Sequence, residues 1–273
     1  MIDILIQGDI VFTGTELIRD GYVYISDGHV RAVGPGLPPE DLTYATLILG
    51  GPGRAVLPAI PWPVDPLGYM RKTVECRPLA LSCEERRSLS GGIDLYLPAI
   101  MEAHMAGIGM PLIVAPHPSI VARIRDAVGG EYGALIPEEC GPLEGYSGVL
   151  PMARPTGWDS VCPRVDLCRA RDPYTRAVEL AKSLGWREYV IKEGVKSMIA
   201  IYNLREPPLL GIRISTPEDA AKLYTLGATV ESLIAGGDIL VEVGEHLMIV
   251  EKHLNAALKS ALHVKNGEQQ DRQ

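Results

Sequence analysis

Few residues in this sequence have the type and spacing that chemistry requires. Glu102 and His104 stand two apart in a stretch that reads as a helix, so they point to different faces and form no pair. Glu138-Glu139-Cys140 could offer ligands to a cation, but a solvated acidic loop explains the run more simply. His246 and His253 fall in a closing hairpin and a final helix, where surface placement is expected. The cysteines at 76, 83, 140, 162 and 168 do not have zinc-finger spacing and define no metal centre. Gly91-Gly92 and Gly50-Gly51-Pro52-Gly53 lack the strand, glycine loop and helix of a phosphate cradle, and read as turns. There is no Gly-x-Ser-x-Gly elbow and no Cys–His nucleophile motif. Local motifs alone name no reaction.

Composition narrows the classes. A net charge of −8 and a pI near 5.3 leave no global field to attract phosphates, so nucleic acid is not expected as a partner. The longest uncharged run, 103–122, contains His104, His117 and three prolines, which a spanning helix would tolerate badly; no membrane segment is expected. The opening Met-Ile-Asp has no basic region of the secretory kind, and a cytoplasmic location is expected. Asn occurs three times and Gln four times, three of those Gln within the last five residues. That depletion of heat-labile amides fits a thermophile, in which intracellular disulfides occur; the pairing of the five cysteines stays open.

The elements that must position any site fall into three blocks. Residues 3–7, 22–26 and 29–33 read as strands, the last two joined by Asp27-Gly28, a pair that tolerates positive φ and favours a tight hairpin. Residues 46–49 and 54–57 read as a second hairpin across the Gly-Gly-Pro-Gly loop. In the middle, 93–97, 111–115 and 131–136 read as strands and 98–107 and 119–128 as helices, the latter capped by Ser119; such alternation points to parallel βαβ units. Asp172-Pro173 opens a helix that Gly185 closes. Strands return at 197–202, 229–234, 239–242 and 247–250, with a short helix from Thr216-Pro217 to Gly227, and a last helix covers 251–263. The polar tail from Lys265 is expected to fray. The economical solution is one sheet domain built from both ends, with an α/β part inserted between them.

The ends resemble a known family. Asp3-Ile-Leu-Ile-Gln-Gly8, the run from Asp20 to Gly34 and Gly53-Arg-Ala-Val-Leu-Pro58 are similar to the opening of the metal-dependent amidohydrolase superfamily. Glu193-Gly-Val-Lys-Ser-Met-Ile-Ala-Ile-Tyr-Asn203 resembles its return strand, and the run from Val230 to Gly244 resembles the closing hairpin of its chlorohydrolase and aminohydrolase branch. The resemblance implies a composite β-sandwich from 1–57 and 196–250 and an α/β barrel-like part at 58–195; the residue pattern adds a C-terminal helix at 251–264 and a disordered tail at 265–273. About 130 residues separate Pro58 from the return strand, whereas an eight-unit barrel takes roughly 200 or more, so the barrel is truncated, open or rebuilt.

The family's chemistry is where the sequence departs. The resemblance implies a His-x-His metal pair at the end of the first barrel strand, where the cation brings a bound water's pKa near neutrality. Here Val64 and Pro66 stand at those positions, with Asp65 between them as a lone carboxylate. Val114-Ala-Pro-His117-Pro resembles the branch's Pro-His-x-Pro stretch, in which the histidine faces the substrate; His117 either lines a pocket or packs near the helix beginning at Ser119. Thr156-Gly-Trp-Asp159 faintly resembles the late-barrel aspartate that binds metal and relays a proton, and a turn is the plainer reading.

The sequence therefore predicts a degenerate amidohydrolase-like protein without metal-dependent hydrolysis of non-peptide carbon–nitrogen bonds. The alternatives are an active hydrolase or deaminase with a rebuilt site, or a non-catalytic binding or assembly protein. His117 and Asp159 are the catalytic candidates, and Asp65, His104 and His117 the candidates for holding a small-molecule ligand. No cofactor is expected, zinc being the alternative. An open middle sheet and the segment 60–66, with Trp62 as an anchor, predict a homo-oligomer.

Overall fold

The computed structural model describes residues 2–70, 72, 81–89, 91–137, 140, 149–152, 162–183, 185 and 189–270. Cys76, Glu138, Glu139 and the Thr156–Asp159 stretch lie outside the described residues.

Alternating burial along Ile4–Phe12 makes the first strand, β1, which pairs antiparallel with β2 (Leu17–Ser26). β2 turns into β3 (His29–Pro35) through Asp27 and Gly28, at φ 53° and 71°, as the hairpin reading requires. The second expected hairpin is not one. Residues 47–58 form a single strand, β4 (Leu47–Pro58), running parallel to β1. Gly50, Gly51 and Gly53, all at positive φ, absorb an irregularity where the register shifts between Gly8 and Ile10. A Cβ on Gly50 would lie 2.2 Å from the Gln7 carbonyl oxygen. Glycine here bends a strand where the sequence reading has it reverse one.

The far end of the chain completes the same sheet. β9 (Met198–Asn203) lies antiparallel to β4, followed outward by β10 (Ser232–Ala235), β11 (Asp238–Glu242) and the two-residue β12 (Glu245–His246). Among the described residues the order is β12-β11-β10-β9-β4-β1-β2-β3. The sheet curls until its sides meet: Val30 N donates to Val195 O at 2.9 Å, and Ser197 N to Gly28 O at 2.8 Å. Ile4, Ile6, Val23, Ile25, Val56, Ile199, Ile201 and Ile234 form the buried cluster enclosed by this curl. Residues 247–250 are not the expected strand, because the Met248 and Ile249 amides bond to the His246 ring and so are not available to a ladder.

β4 passes through Ala59 directly into β5 (Ile60–Val64), the first strand of a parallel sheet β5-β6-β7-β8, with β6 Ile108–Val114, β7 Gly133–Pro137 and β8 Val149–Met152. Helices α1 (Pro66–Met70), α2 (Cys83–Leu89) and α3 (Leu97–Met105) lie between β5 and β6, and α4 (Ser119–Val128) between β6 and β7. Residues 93–97 make turns into α3 where a strand was expected, with Tyr96 N bonded to Ile93 O at 2.8 Å; a short apolar run does not distinguish a buried strand from a buried helix entry. α5 (Pro163–Arg169) and α6 (Pro173–Ser183) follow, and α6 packs on β5. α7 (Pro217–Ala221) opens on a capping box between Thr216 and Asp219 and runs through a 3-10 turn to Gly227. The last helix, α8, runs Glu251–Gln270, past the expected end.

The main core lies between the two sheets and the helices, and includes Trp62, Tyr96, Ile100 and Tyr202. Trp62 is 2% exposed within its own chain, so it is no interface anchor. A disulfide joins Cys83 on α2 to Cys140 beyond β7, Cys162 is likewise disulfide-bonded, and Cys168 is an exposed thiol. Among the described residues no helix is long and apolar enough to cross a membrane.

Candidate functional site

The C-terminal ends of β5 and β6 carry two of the candidate residues. Asp65 follows β5 directly. Its Oδ1 accepts from Gly68 N at 3.0 Å, which caps α1. Arg86, on α2, donates to both carboxylate oxygens, at 2.9 Å to Oδ1 and 2.8 Å to Oδ2. The two side chains are only 17% and 9% exposed, so this is a sheltered, bidentate ion pair. With three donors on two oxygens, Asp65 is held by its own chain.

His117, three residues past β6, is exposed. Its Nδ1 lies 2.8 Å from Ser119 Oγ and accepts from Ser119 N at 3.2 Å. The histidine thus satisfies the start of α4, and Ser119, expected as the cap, is already inside the helix.

His104 lies elsewhere. It sits fully buried on α3 and reaches β12, where its Nδ1 is 2.8 Å from His246 Nε2. The rings stack, with centroids 5.1 Å apart and planes 20° from parallel. His246, expected on the surface, is 8% exposed. Burial and the neighbouring His246 hold the His104 imidazole well below its ordinary range, and burial lowers His246 to about 4. Both rings are therefore neutral at pH 7. Glu102 faces away from this pair and takes a hydrogen bond from Tyr69, whose phenol is pushed up chiefly by burial.

Asp65 and His117 follow the neighbouring strands β5 and β6, whereas His104 pairs with His246 on β12. Among the described residues no group of three or more His, Cys, Asp or Glu could hold a metal ion. A cleft of about 1310 Å³ opens against Thr13, Leu17, Arg19, Tyr174, Lys182 and Ser215, away from the strand ends that carry Asp65 and His117. Arg86 and His246 were missed by sequence reasoning, because nothing local marks a partner that arrives from 21 or 142 residues away.

No family model matches the chain. Over 77 residues it is 35% identical to the 5-methylthioadenosine/S-adenosylhomocysteine deaminase of Pyrococcus furiosus, a match covering 28% of this chain and 18% of that protein. The chain thus spans less than a fifth of that relative's length. Solved structures match far more widely. A triazine hydrolase variant superposes with a TM-score of 0.72 at 11% identity, covering 96% of this chain and 100% of the other. The chain has the fold of that hydrolase. Atrazine chlorohydrolase from Arthrobacter aurescens TC1, complexed with zinc, gives 0.69 at 12% identity over 94% of this chain and 100% of its own. An adenosine deaminase from Xanthomonas campestris with bound zinc gives 0.63 at 11% over 97% and 99%.

Two of those structures hold zinc, and the residues at the end of β5 do not fit such an ion. Val64 and Pro66 bring no donor atom, and both oxygens of Asp65 are taken by Arg86. A catalytic zinc uses three protein ligands and an open position.

Proposed function

We propose that this amidohydrolase-fold chain does not carry out metal-dependent cleavage of carbon–nitrogen bonds and serves as a non-catalytic binding or assembly protein. The observation that carries this reading is the Asp65–Arg86 pair. At the strand end where the resemblance implies metal ligands, an arginine supplies the positive charge and a structural ion pair takes the place of a coordination site. In this reading the curled eight-stranded sheet serves as the composite sandwich, drawn from 1–57 and 196–250, and residues 58–195 as the truncated barrel. The chain works in the cytoplasm and binds a small-molecule ligand. Among the described residues β8 ends the parallel sheet, and a strand edge of that kind recruits a partner, which favours a homo-oligomer; light scattering at high micromolar concentration should give at least a dimer, and a monomer there removes that part.

The second reading, an active deaminase with a rebuilt site, draws on the 77-residue match to a deaminase. Elemental analysis of protein purified without chelator, paired with melting curves with and without zinc, separates the two. We expect no stoichiometric metal and superimposable melts. Asp65→Asn, which leaves Arg86 short of its counter-charge, should lower stability by about 3 kcal/mol regardless of zinc. Stoichiometric zinc, iron or manganese with a raised melting point would overturn the non-catalytic reading.

A further inference from the structure

The Met248 and Ile249 amides donate to His246 Nδ1 at 3.2 and 3.0 Å. An amide N–H cannot accept, so Nδ1 carries no proton and the neutral ring keeps its proton on Nε2. That N–H donates to His104 Nδ1 at 2.8 Å, which leaves the proton of His104 on its own Nε2. The tautomers of both rings follow from two backbone amides.

His104 is fully buried, and its Nε2–H has no hydrogen-bond partner among the described residues. The Tyr132 hydroxyl, at the entry to β7, is buried and has none either. The two rings are neighbours, with centroids 5.9 Å apart and planes tilted by 45°. Buried polar atoms without a partner are rare and cost their full desolvation, so two of them side by side point to a shared ligand.

The chemistry of that ligand is restricted. His104 Nε2–H is a donor and needs an acceptor. A metal ion would need the Nε2 lone pair, and moving the proton to Nδ1 would leave His246 Nε2 to accept while its Nδ1 also accepts, which a neutral imidazole cannot do. An anion would meet the negative field of Asp238, which adds to burial in raising the neighbouring Tyr132 phenol. We propose that a neutral acceptor of water size bridges His104 Nε2 and the Tyr132 hydroxyl, extending the hydrogen-bond chain that starts at the Met248 and Ile249 amides. This bridge ties α3, β12 and the entry to β7 at one buried point, and it stands whether or not the non-catalytic reading does.

Histidine-labelled full-length protein tests it by nitrogen-15 NMR. Both rings should be protonated at Nε2, with the His104 Nε2–H showing a cross-peak to water. Tyr132→Phe should lower the melting point by about 2 °C, the effect of losing one water-mediated bond in a chain of this size. An Nδ1–H tautomer at His104 or a missing water cross-peak overturns the proposal. So does a Tyr132→Phe melting point that is unchanged or raised, as expected for removal of a hydroxyl with no partner. A melting point that rises with chloride in the parent protein and not in the variant would assign the place to an anion and overturn it too.

Discussion

The imidazoles of His104 and His246 are kept neutral by burial, and that choice shows up in the pH dependence of folding. In the unfolded chain a histidine takes up its proton near pH 6.5. In the folded protein His246 resists until about pH 4, and burial also holds His104 well below its ordinary range. Below pH 6.5 the unfolded state therefore binds protons that the folded state refuses. Stability present above 6.5 is lost as pH falls toward 4, and below about 4 His246 contributes no further loss. The expected fall from His246 alone is about 2 kcal/mol by pH 5. Denaturant titrations at pH 7 and pH 5 measure it, and equal midpoints would contradict the burial of the pair. At this scale the sequence was partly readable. Asp65 stands out as the one carboxylate where the resemblance implies histidines, but its partner Arg86 belongs to another helix and cannot be assigned from spacing. His246 sits in a run of apolar residues that marks burial only once α3 is known to pack there.

Among the elements, the β2–β3 turn bears the most weight for its size. Gly28 sits at φ 71°, and a Cβ there would lie 2.7 Å from the Gly236 carbonyl oxygen in the β10–β11 turn. Two glycine turns meet, one from each end of the chain. Gly28→Ala should cost about 2 kcal/mol or more, combining strained φ with a backbone clash. Urea unfolding checks this, and a variant as stable as the parent would mean the turns do not touch. The hairpin was legible because Asp-Gly between alternating apolar residues has one common use. The glycines of β4 were not, since the same residues permit a reversal or a bulge, and only the parallel pairing with β1 decides. Helix α4 matched because its apolar residues repeat along one face, whereas 93–97 and 247–250 are too short for any period to show.

At the scale of the whole molecule, two sheets are joined through Ala59 and reinforced by covalent links. The Cys83–Cys140 bridge closes a separation of 57 residues across the parallel sheet. Its chain-entropy contribution has a ceiling of about 4 kcal/mol. Cys83→Ser combined with Cys140→Ser should lower stability by up to that amount in non-reducing urea titrations, and an unchanged midpoint would show the bridge to be absent in solution. The amide-poor composition allowed for disulfides without naming their pairs. The shared sheet of the two ends was foreseeable from the unpaired apolar faces that each end would otherwise expose. The number of strands beside β5 was not, because they come from segments far apart in sequence.

The meeting of Gly28 with Ser197, 169 residues further on, also sets an order of events during synthesis. A ribosome delivers the chain from its beginning, so β1 to β4 emerge long before β9 can take its place beside β4. Until then the apolar face of Ile4, Ile6, Val23 and Ile25 and the unpaired edge of β4 stand open in the nascent chain. The parallel sheet, with its mostly local crossovers, can form in that interval, and the large sheet cannot. Expression of this protein should therefore depend on whatever shields half-made sheets in the cell, more than its finished stability would suggest.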